Sequence, residues 1–217
     1  MIKDSKIPAP TIERLALYSR PLENLLKSGT DLISSEKLAY LCGVSSAQVR
    51  KDLAYFGEFG IRGVGYNTEA LLNEIKKILA TNREWTLCIV GMGNLGSAIV
   101  ENENFKKMGY KFVAAFDVDP EKIGETLPCG LIIESLSKAG KLVQSLHIEI
   151  GVVTTPPSGA QKVSGLLMDA GVKAILNFTS FQVSAPACCV VENVDFTMKL
   201  ENLAYHLGRS QSFISET

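Results

Sequence analysis

The stretch Leu87-Cys-Ile-Val-Gly-Met-Gly-Asn-Leu-Gly-Ser-Ala-Ile-Val100 restricts the fold of this chain more than any other. Four apolar residues suited to a buried strand run into Gly91-x-Gly93-x-x-Gly96, and a helix-compatible segment follows. Downstream, Lys111-Phe-Val-Ala-Ala-Phe116 has the composition of a second buried strand and ends at Asp117, 21 residues beyond Gly96. Strand, glycine turn, helix, strand and acid in this order make a dinucleotide-binding βαβ unit. Gly91 permits the tight turn, Gly93 the approach of backbone to pyrophosphate, and Gly96 close helix–strand packing. The amides and dipole at the helix start favour the phosphate charge, with Met92, Asn94 and Leu95 completing the turn. Asp117 is expected to accept hydrogen bonds from ribose hydroxyls and to repel a 2′-phosphate, which favours NAD over NADP. A plain turn in an α/β domain would carry the same glycines; the flanking strands and the acid favour the nucleotide.

Beyond Asp117 strands and helices keep alternating. Residues 131–133 predict a short strand, 135–146 a helix, 148–153 a buried strand, 159–170 a helix, and 172–176 and 189–192 two further strands. Alternation of this kind predicts an α/β, Rossmann-type, doubly wound sheet whose ligands lie beyond the carboxyl ends of its strands. Two such ends stand out: Thr154-Thr155-Pro156-Pro157, and Asn177-Phe178-Thr179. Either is placed to border a nicotinamide, and ordinary loop chemistry accounts for both equally well. Residues 194–208 form a final amphipathic helix with Phe196, Leu200, Leu203, Ala204 and Leu207 on one stripe. It packs on its own domain or on a second subunit; the pattern fits both.

The first 80 residues read differently. Ile12, Leu15, Ala16, Leu22, Leu25 and Leu26 line one face of a helix over 11–28, with Pro21 predicting a kink and Gly29 a stop. A short helix over 35–42, capped by Ser34, is followed by Gly43. Ser45-x-x-Gln48 then fits a capping box opening a helix over 46–56, with Val49 and Leu53 inward. Helix, glycine turn, helix is the helix-turn-helix pattern, whose second helix enters the major groove. Ser46, Gln48, Arg50, Lys51 and Asp52 are its polar residues, and Tyr55 follows near its end. Arginine suits guanine, glutamine adenine, and lysine phosphate. The segment 57–66 holds four glycines around Arg62, suiting a β-hairpin wing whose arginine reaches the minor groove. A small helical module with a solvated charged face would share the helical part of this pattern. A further helix starts at Thr68, its expected cap, and ends near Thr81-Asn82. The expected domains are thus 1–82, a winged helix-turn-helix; 83–193, the dinucleotide domain; and 194–217, a dimerisation helix and tail.

Composition narrows the rest. Residues 1–80 carry a net +2 and the remainder −3, which permits nucleic-acid binding if the basic residues cluster. No apolar run approaches the roughly 18–20 residues that cross a bilayer, and the start of the chain lacks a signal-peptide core, so a cytoplasmic protein with no membrane partner is expected. The five cysteines show no CxxC spacing, so neither a disulfide framework nor a metal site is expected. His147 and His206 are the two histidines, and neither falls at the carboxyl end of a strand. With no catalytic set in view and no room for a substrate domain, the dinucleotide reads as a signal. The rival is a small NAD(P)H-dependent oxidoreductase with a helical dimerisation cap.

A winged helix-turn-helix joined to an NAD site resembles Rex, a family of bacterial redox-sensing transcriptional repressors. The resemblance rests on Gln48–Gly57, Gly60-x-Arg62-Gly-Val-Gly-Tyr66, Gly91–Gly96, Phe116-Asp-Val-Asp-Pro120, Ile175–Phe178 and Glu192–Phe196, in that order. It implies a homodimer with exchanged terminal helices, double-stranded operator DNA with two half-sites, and release of the operator when NADH binds in place of NAD+. By position it implies DNA contacts at Arg50, Lys51 and Arg62. Cofactor contacts would fall at Gly91–Gly96, Asp117, Lys122 and Thr155-Pro156; Val118, Asp119, Thr154, Asn177 and Phe178 are expected beside them. An Arg20–Asp195 pair would link the two domains. Asn102 stands where many members place a tyrosine near the nicotinamide, so the sensing detail differs here.

Overall fold

The computed structural model describes residues 7–61 and 63–214. The chain divides into two compact units, Met1–Arg83 and Glu84–Thr217.

In the first unit, α1 (Ala9–Lys27) buries Thr11, Leu15, Tyr18 and Leu22. This stripe is rotated from the expected one: Ile12 and Ala16 face solvent, because the hydroxyls of Thr11 and Tyr18 turn inward to a carboxylate described below. The helix continues through Pro21 and does not end there. Proline has no N–H for the carbonyl four residues back; that carbonyl, of Leu17, instead takes the Cys42 thiol at 3.9 Å. After β1 (Leu32–Ile33) come α2 (Ser35–Cys42) and α3 (Ser46–Ala54). Ser34 and Ser45 cap them through Lys37 N and Gln48 N, and Gly43, at φ 66°, supplies the left-handed turn between. Strands β2 (Gly60–Ile61) and β3 (Gly65–Asn67) form the hairpin, and β1 completes an antiparallel sheet in the order β1-β3-β2. The two-residue β1 carries too little pattern to stand out in the sequence. α4 (Thr68–Ile78) is capped by Asn67, whose side chain accepts from Ala70 N. Thr68, the expected cap, is instead the first helical residue, fully buried with its hydroxyl unpartnered.

Among its described residues the second unit holds six parallel strands: β4 (Trp85–Val90), β5 (Tyr110–Asp117), β6 (Ile133–Ser135), β7 (Ile150–Val153), β8 (Ala174–Asn177) and β9 (Val190–Asn193). Their order is β6-β5-β4-β7-β8-β9, which is 3-2-1-4-5-6 in chain order within this unit. That is the doubly wound dinucleotide-binding arrangement, with its switch point between β4 and β7. Both faces are covered. Cys88 and Val90 point into the core shared with α7 (Ala139–Ser145) and α8 (Pro157–Asp169); Leu87 and Ile89 point into the other, with Ile99 and Val100 of α5 (Asn94–Val100) and Phe105 of α6 (Glu103–Lys107). Burial pushes the Cys88 thiol up to about 12, as suits a core residue.

The remaining differences are local. Ile132 makes an isolated antiparallel bridge to Thr126, and Leu127 N donates to Leu131 O, so β6 begins at Ile133. α8 starts two residues early because Pro157 occupies its first position, where a missing N–H costs nothing. α6, capped by the Asn102 side chain through Asn104 N, has no apolar period long enough to announce it. The terminal helix α9 runs Phe196–Ile214.

Candidate functional site

The carboxyl ends of β4, β5 and β7 come together around the glycine turn. Gly91, at φ 100°, follows β4; a Cβ there would sit 2.8 Å from the Thr154 carbonyl carbon, so only glycine fits between the two strand ends. A Cβ on Gly96 would collide with the Gly91 carbonyl oxygen. Gly93 differs: its missing Cβ would face open space, and it precedes α5 without a side-chain cap. Backbone exposed beside uncapped helix amides is a fitting cradle for a pyrophosphate. Asn94 and Leu95 are exposed in the first turn, while Met92 is buried below.

Asp117 ends β5 only 7% exposed. Its Oδ2 accepts from Met92 N at 2.7 Å, and its Oδ1 from Val118 N at 2.7 Å and Asp119 N at 3.0 Å. Burial raises the pKa of this carboxyl, but the three amides and the Lys122 charge, 3.7 Å away, outweigh it and hold the group below its ordinary range. Asp117 therefore holds the glycine turn to the end of β5. Lys122 also pairs with the half-buried Asp119 at 3.5 Å, and Val118 is exposed beside them.

Across the switch point the Thr154 hydroxyl donates to Gly91 O at 2.8 Å and Val90 O at 3.1 Å, closing the turn from the β7 side. Thr155 has a buried hydroxyl with no partner, and Pro156 is exposed ahead of α8. Asn177, at the end of β8, is fully buried. Its Nδ2 donates to Phe181 O and Asn193 Oδ1, and its Oδ1 accepts from Thr179 N and Thr179 Oγ1. These four bonds use its whole capacity, so it shapes the loop from behind. Phe178 is half-buried, its ring 6.2 Å from that of Phe196 at the start of α9.

In the first unit, α3 and the hairpin flank a cleft of about 780 Å³ lined by Ser35, Arg50, Phe59, Ile61, Val64 and Tyr66. Lys51 is exposed on α3, and Ser46 and Tyr55 are half-buried on its flanks. Arg50 is tethered to α2, donating to Ser35 Oγ at 2.7 Å and Glu36 Oε1 at 3.0 Å. Arg62 lies outside the described residues. The capping box is only half formed: Gln48 N takes Ser45 Oγ, but the Gln48 side chain turns the other way and donates to Asp52 Oδ1 at 2.9 Å. Asp52, grouped by sequence with the polar outer residues, is fully buried against Arg14, Tyr18 and Thr11 of α1. Burial works against its charge, yet hydrogen bonds from Arg14, Tyr18, Gln48 and Thr11 keep its pKa low, while Arg14 is held far above its usual value by the same pair. The signal for this network was the spacing 11, 14, 18 of its three partners along one face of α1.

Arg20 is exposed on α1 of the first unit. Asp195, just ahead of α9 in the second, accepts from Thr197 N at 2.8 Å and Thr197 Oγ1 at 2.6 Å, which lowers its pKa. Along α9, Phe196, Met198, Leu200, Leu203, Tyr205 and Leu207 are 58–65% exposed.

Comparison with known proteins agrees with both units. A family described as "Putative DNA-binding protein N-terminus" matches residues 6–54, and one described as "CoA binding domain" matches residues 82–181. The chain is 54% identical to the redox-sensing transcriptional repressor Rex of Syntrophobacter fumaroxidans, over 95% of this chain and 99% of that one. It is 45% identical to the repressor of that name from Carboxydothermus hydrogenoformans, over 96% and 100%. Among solved structures it is similar to RSP, a Rex-family repressor, in complex with β-NAD+ and operator DNA (TM-score 0.91, 33% identity, 98% of this chain and 97% of that one). The complex of RSP with β-NADH is also similar (TM-score 0.87, 32% identity, 99% and 100%). With near-complete coverage by such relatives, the chain belongs to the Rex family of redox-sensing transcriptional repressors.

Proposed function

We propose that this chain acts in the cytoplasm as a homodimeric repressor that leaves its operator when NADH binds at the β4–β7 switch point. The carrying observation is the joining, in one chain, of a capped helix-turn-helix and hairpin to an open glycine cradle beside a charged, amide-bound Asp117. RSP complexes with β-NAD+ and operator DNA, and with β-NADH, support the same pairing of ligands.

On this reading Arg50, Lys51 and Arg62 meet the operator, with Ser46, Gln48 and Tyr55 at the flanks of α3. Arg50 exchanges its Glu36 partner for DNA. Gly93 and the first turn of α5 hold the pyrophosphate; Asp117, Val118, Asp119 and Lys122 face the adenosine ribose; Thr155, Pro156 and Phe178 border the nicotinamide end. The bound dinucleotide supplies the redox difference, a ring that is positively charged when oxidised and neutral when reduced. The exposed apolar face of α9 is suited to cover by a second copy of the chain, and two copies would set two α3 helices about one helical turn of DNA apart. Arg20 and Asp195 provide the link between units in the DNA-binding arrangement.

Only a difference in affinity for the two arrangements can shift them. A hundredfold preference corresponds to about 2.7 kcal/mol per dinucleotide, within the usual range of allosteric coupling. By reciprocity operator DNA weakens NADH binding by the same factor. Fluorescence anisotropy of a labelled operator duplex titrated with NADH and NAD+, paired with NADH titration with and without DNA, tests this. Identical NADH dissociation constants in the two titrations would end the claim.

A further inference from the structure

Asp52 places a negative charge in the helix that meets DNA, and the chain buries that charge completely. Five donors converge on it. Oδ1 accepts from Thr11 Oγ1 at 3.1 Å, Arg14 Nη2 at 2.7 Å and Gln48 Nε2 at 2.9 Å; Oδ2 accepts from Arg14 Nε at 2.6 Å and Tyr18 OH at 2.8 Å. Four donors come from α1 and already provide the carboxylate with an arginine fork and two hydroxyls. The fifth comes from the first turn of α3 itself, one helical turn before Asp52.

What that fifth bond fixes is the amide. An ionised carboxylate only accepts hydrogen bonds, so Gln48 must turn Nε2 toward Asp52. Oε1 and the second N–H of Nε2 are left as an acceptor and a donor side by side. In the major groove adenine offers the complementary pair, its N6 amino group and N7, and glutamine reads it bidentately. Residues near the start of a recognition helix are those that reach base edges, and Gln48 is the third residue of α3. A glutamine without such an anchor presents either edge and selects poorly.

We propose that Asp52 is a positioning residue that presets the Gln48 amide to read one adenine in each operator half-site. This rests on the operator-binding reading above. The test begins with the duplex that the full-length protein enriches from a randomised pool, each base pair of its half-site then being replaced in turn. Wild type shows one A·T pair whose replacement weakens binding roughly 5- to 150-fold. Gln48→Ala abolishes that penalty, leaves the others in place, and keeps the salt dependence, since no charge changes. Gln48→Glu, which has no N–H to offer Asp52, moves the preference at that position from adenine to cytosine.

The combined substitution Thr11→Val, Arg14→Met, Tyr18→Phe and Asp52→Leu keeps net charge and replaces the whole buried polar cluster with apolar side chains, an exchange that folds tolerate well. It binds DNA with the wild-type salt slope and loses most of the adenine penalty. In ¹⁵N-labelled wild-type protein, one Gln48 side-chain amide proton is protected from exchange, a measurement that needs no variant at Asp52. Unchanged base penalties in Gln48→Ala, or two Gln48 amide protons exchanging as freely as those of a solvent-exposed glutamine, would overturn the proposal. A pool that yields no enriched duplex would instead overturn the repressor reading.

Discussion

Replacing Asp117 with Asn separates two jobs that the sequence joins in one residue. The carboxylate receives three backbone amides, from Met92, Val118 and Asp119, and its side chain is 9% exposed, so solvent screens it little. Asparagine has one oxygen. It can keep Val118 and Asp119 as donors, but then its NH2 group faces the Met92 N–H, donor against donor. One charged hydrogen bond, about 1.5–3 kcal/mol, is lost, and two fall to neutral strength, for a total of roughly 3 kcal/mol. At a few degrees per kcal/mol the unliganded protein melts about 10 °C lower. NADH affinity falls at least about tenfold, because the turn must be re-formed on binding. NADPH loses less than NADH, since the charge that repels a 2′-phosphate is gone. Scanning calorimetry of the unliganded protein and titration calorimetry with each dinucleotide measure all three. A residue that only reads ribose would weaken NADH and leave the unliganded melt alone. A melt within about 1 °C of wild type would therefore refute the tethering argument.

Three further outcomes are expected. Asn67→Ala removes the α4 cap and destabilises the chain by about 1 kcal/mol, whereas Thr68→Val, which deletes a buried unpartnered hydroxyl, leaves thermal stability level or higher; the reverse order would restore Thr68 as the cap. Asp52 is held below its unfolded pKa, so its contribution is complete above about pH 4 and is lost as pH falls through the folded value; melts from neutral pH down to about pH 3 show this acid limb, and Arg14→Met with Asp52→Leu flattens it. Leu203→Asp with Leu207→Asp on α9 yields monomers in sedimentation equilibrium, and an unchanged dimer would take α9 out of the interface.

The dinucleotide unit was legible because its signals are local and redundant. The apolar run of β4, the glycine spacing and the acid after β5 each fall within a short window, and all three name one turn. Both serine caps were legible for the same reason. What the sequence hid was long-range. Asp52 looks solvent-facing by its neighbours, and only Arg14 and Tyr18, more than thirty residues away, show why it is buried. Those partners also rotate α1 away from the face its apolar residues alone suggest. Asn177 ends a strand, which by itself suits a cofactor border and ordinary loop chemistry equally; its four hydrogen bonds go to a loop and to Asn193 of β9, which no local pattern foretells. α6 and β1 leave no trace in the pattern because five residues and two residues are too few to show a period.

Thr11, Arg14 and Tyr18 close from two turns of α1 onto a single carboxylate of α3, and in mechanical terms this is a rivet. Hydrogen bonds of 2.6–2.7 Å between a guanidinium and a buried carboxylate leave none of the sliding that apolar side chains permit. Arg20 lies six residues beyond Arg14, about 9 Å farther along the same axis. On the proposed reading, a push delivered at Arg20 would reach α3 with little lost motion. If α1 carries the signal, the ratio of cofactors at which the repressor lets go would depend on the stiffness of that joint as well as on how tightly either form is held.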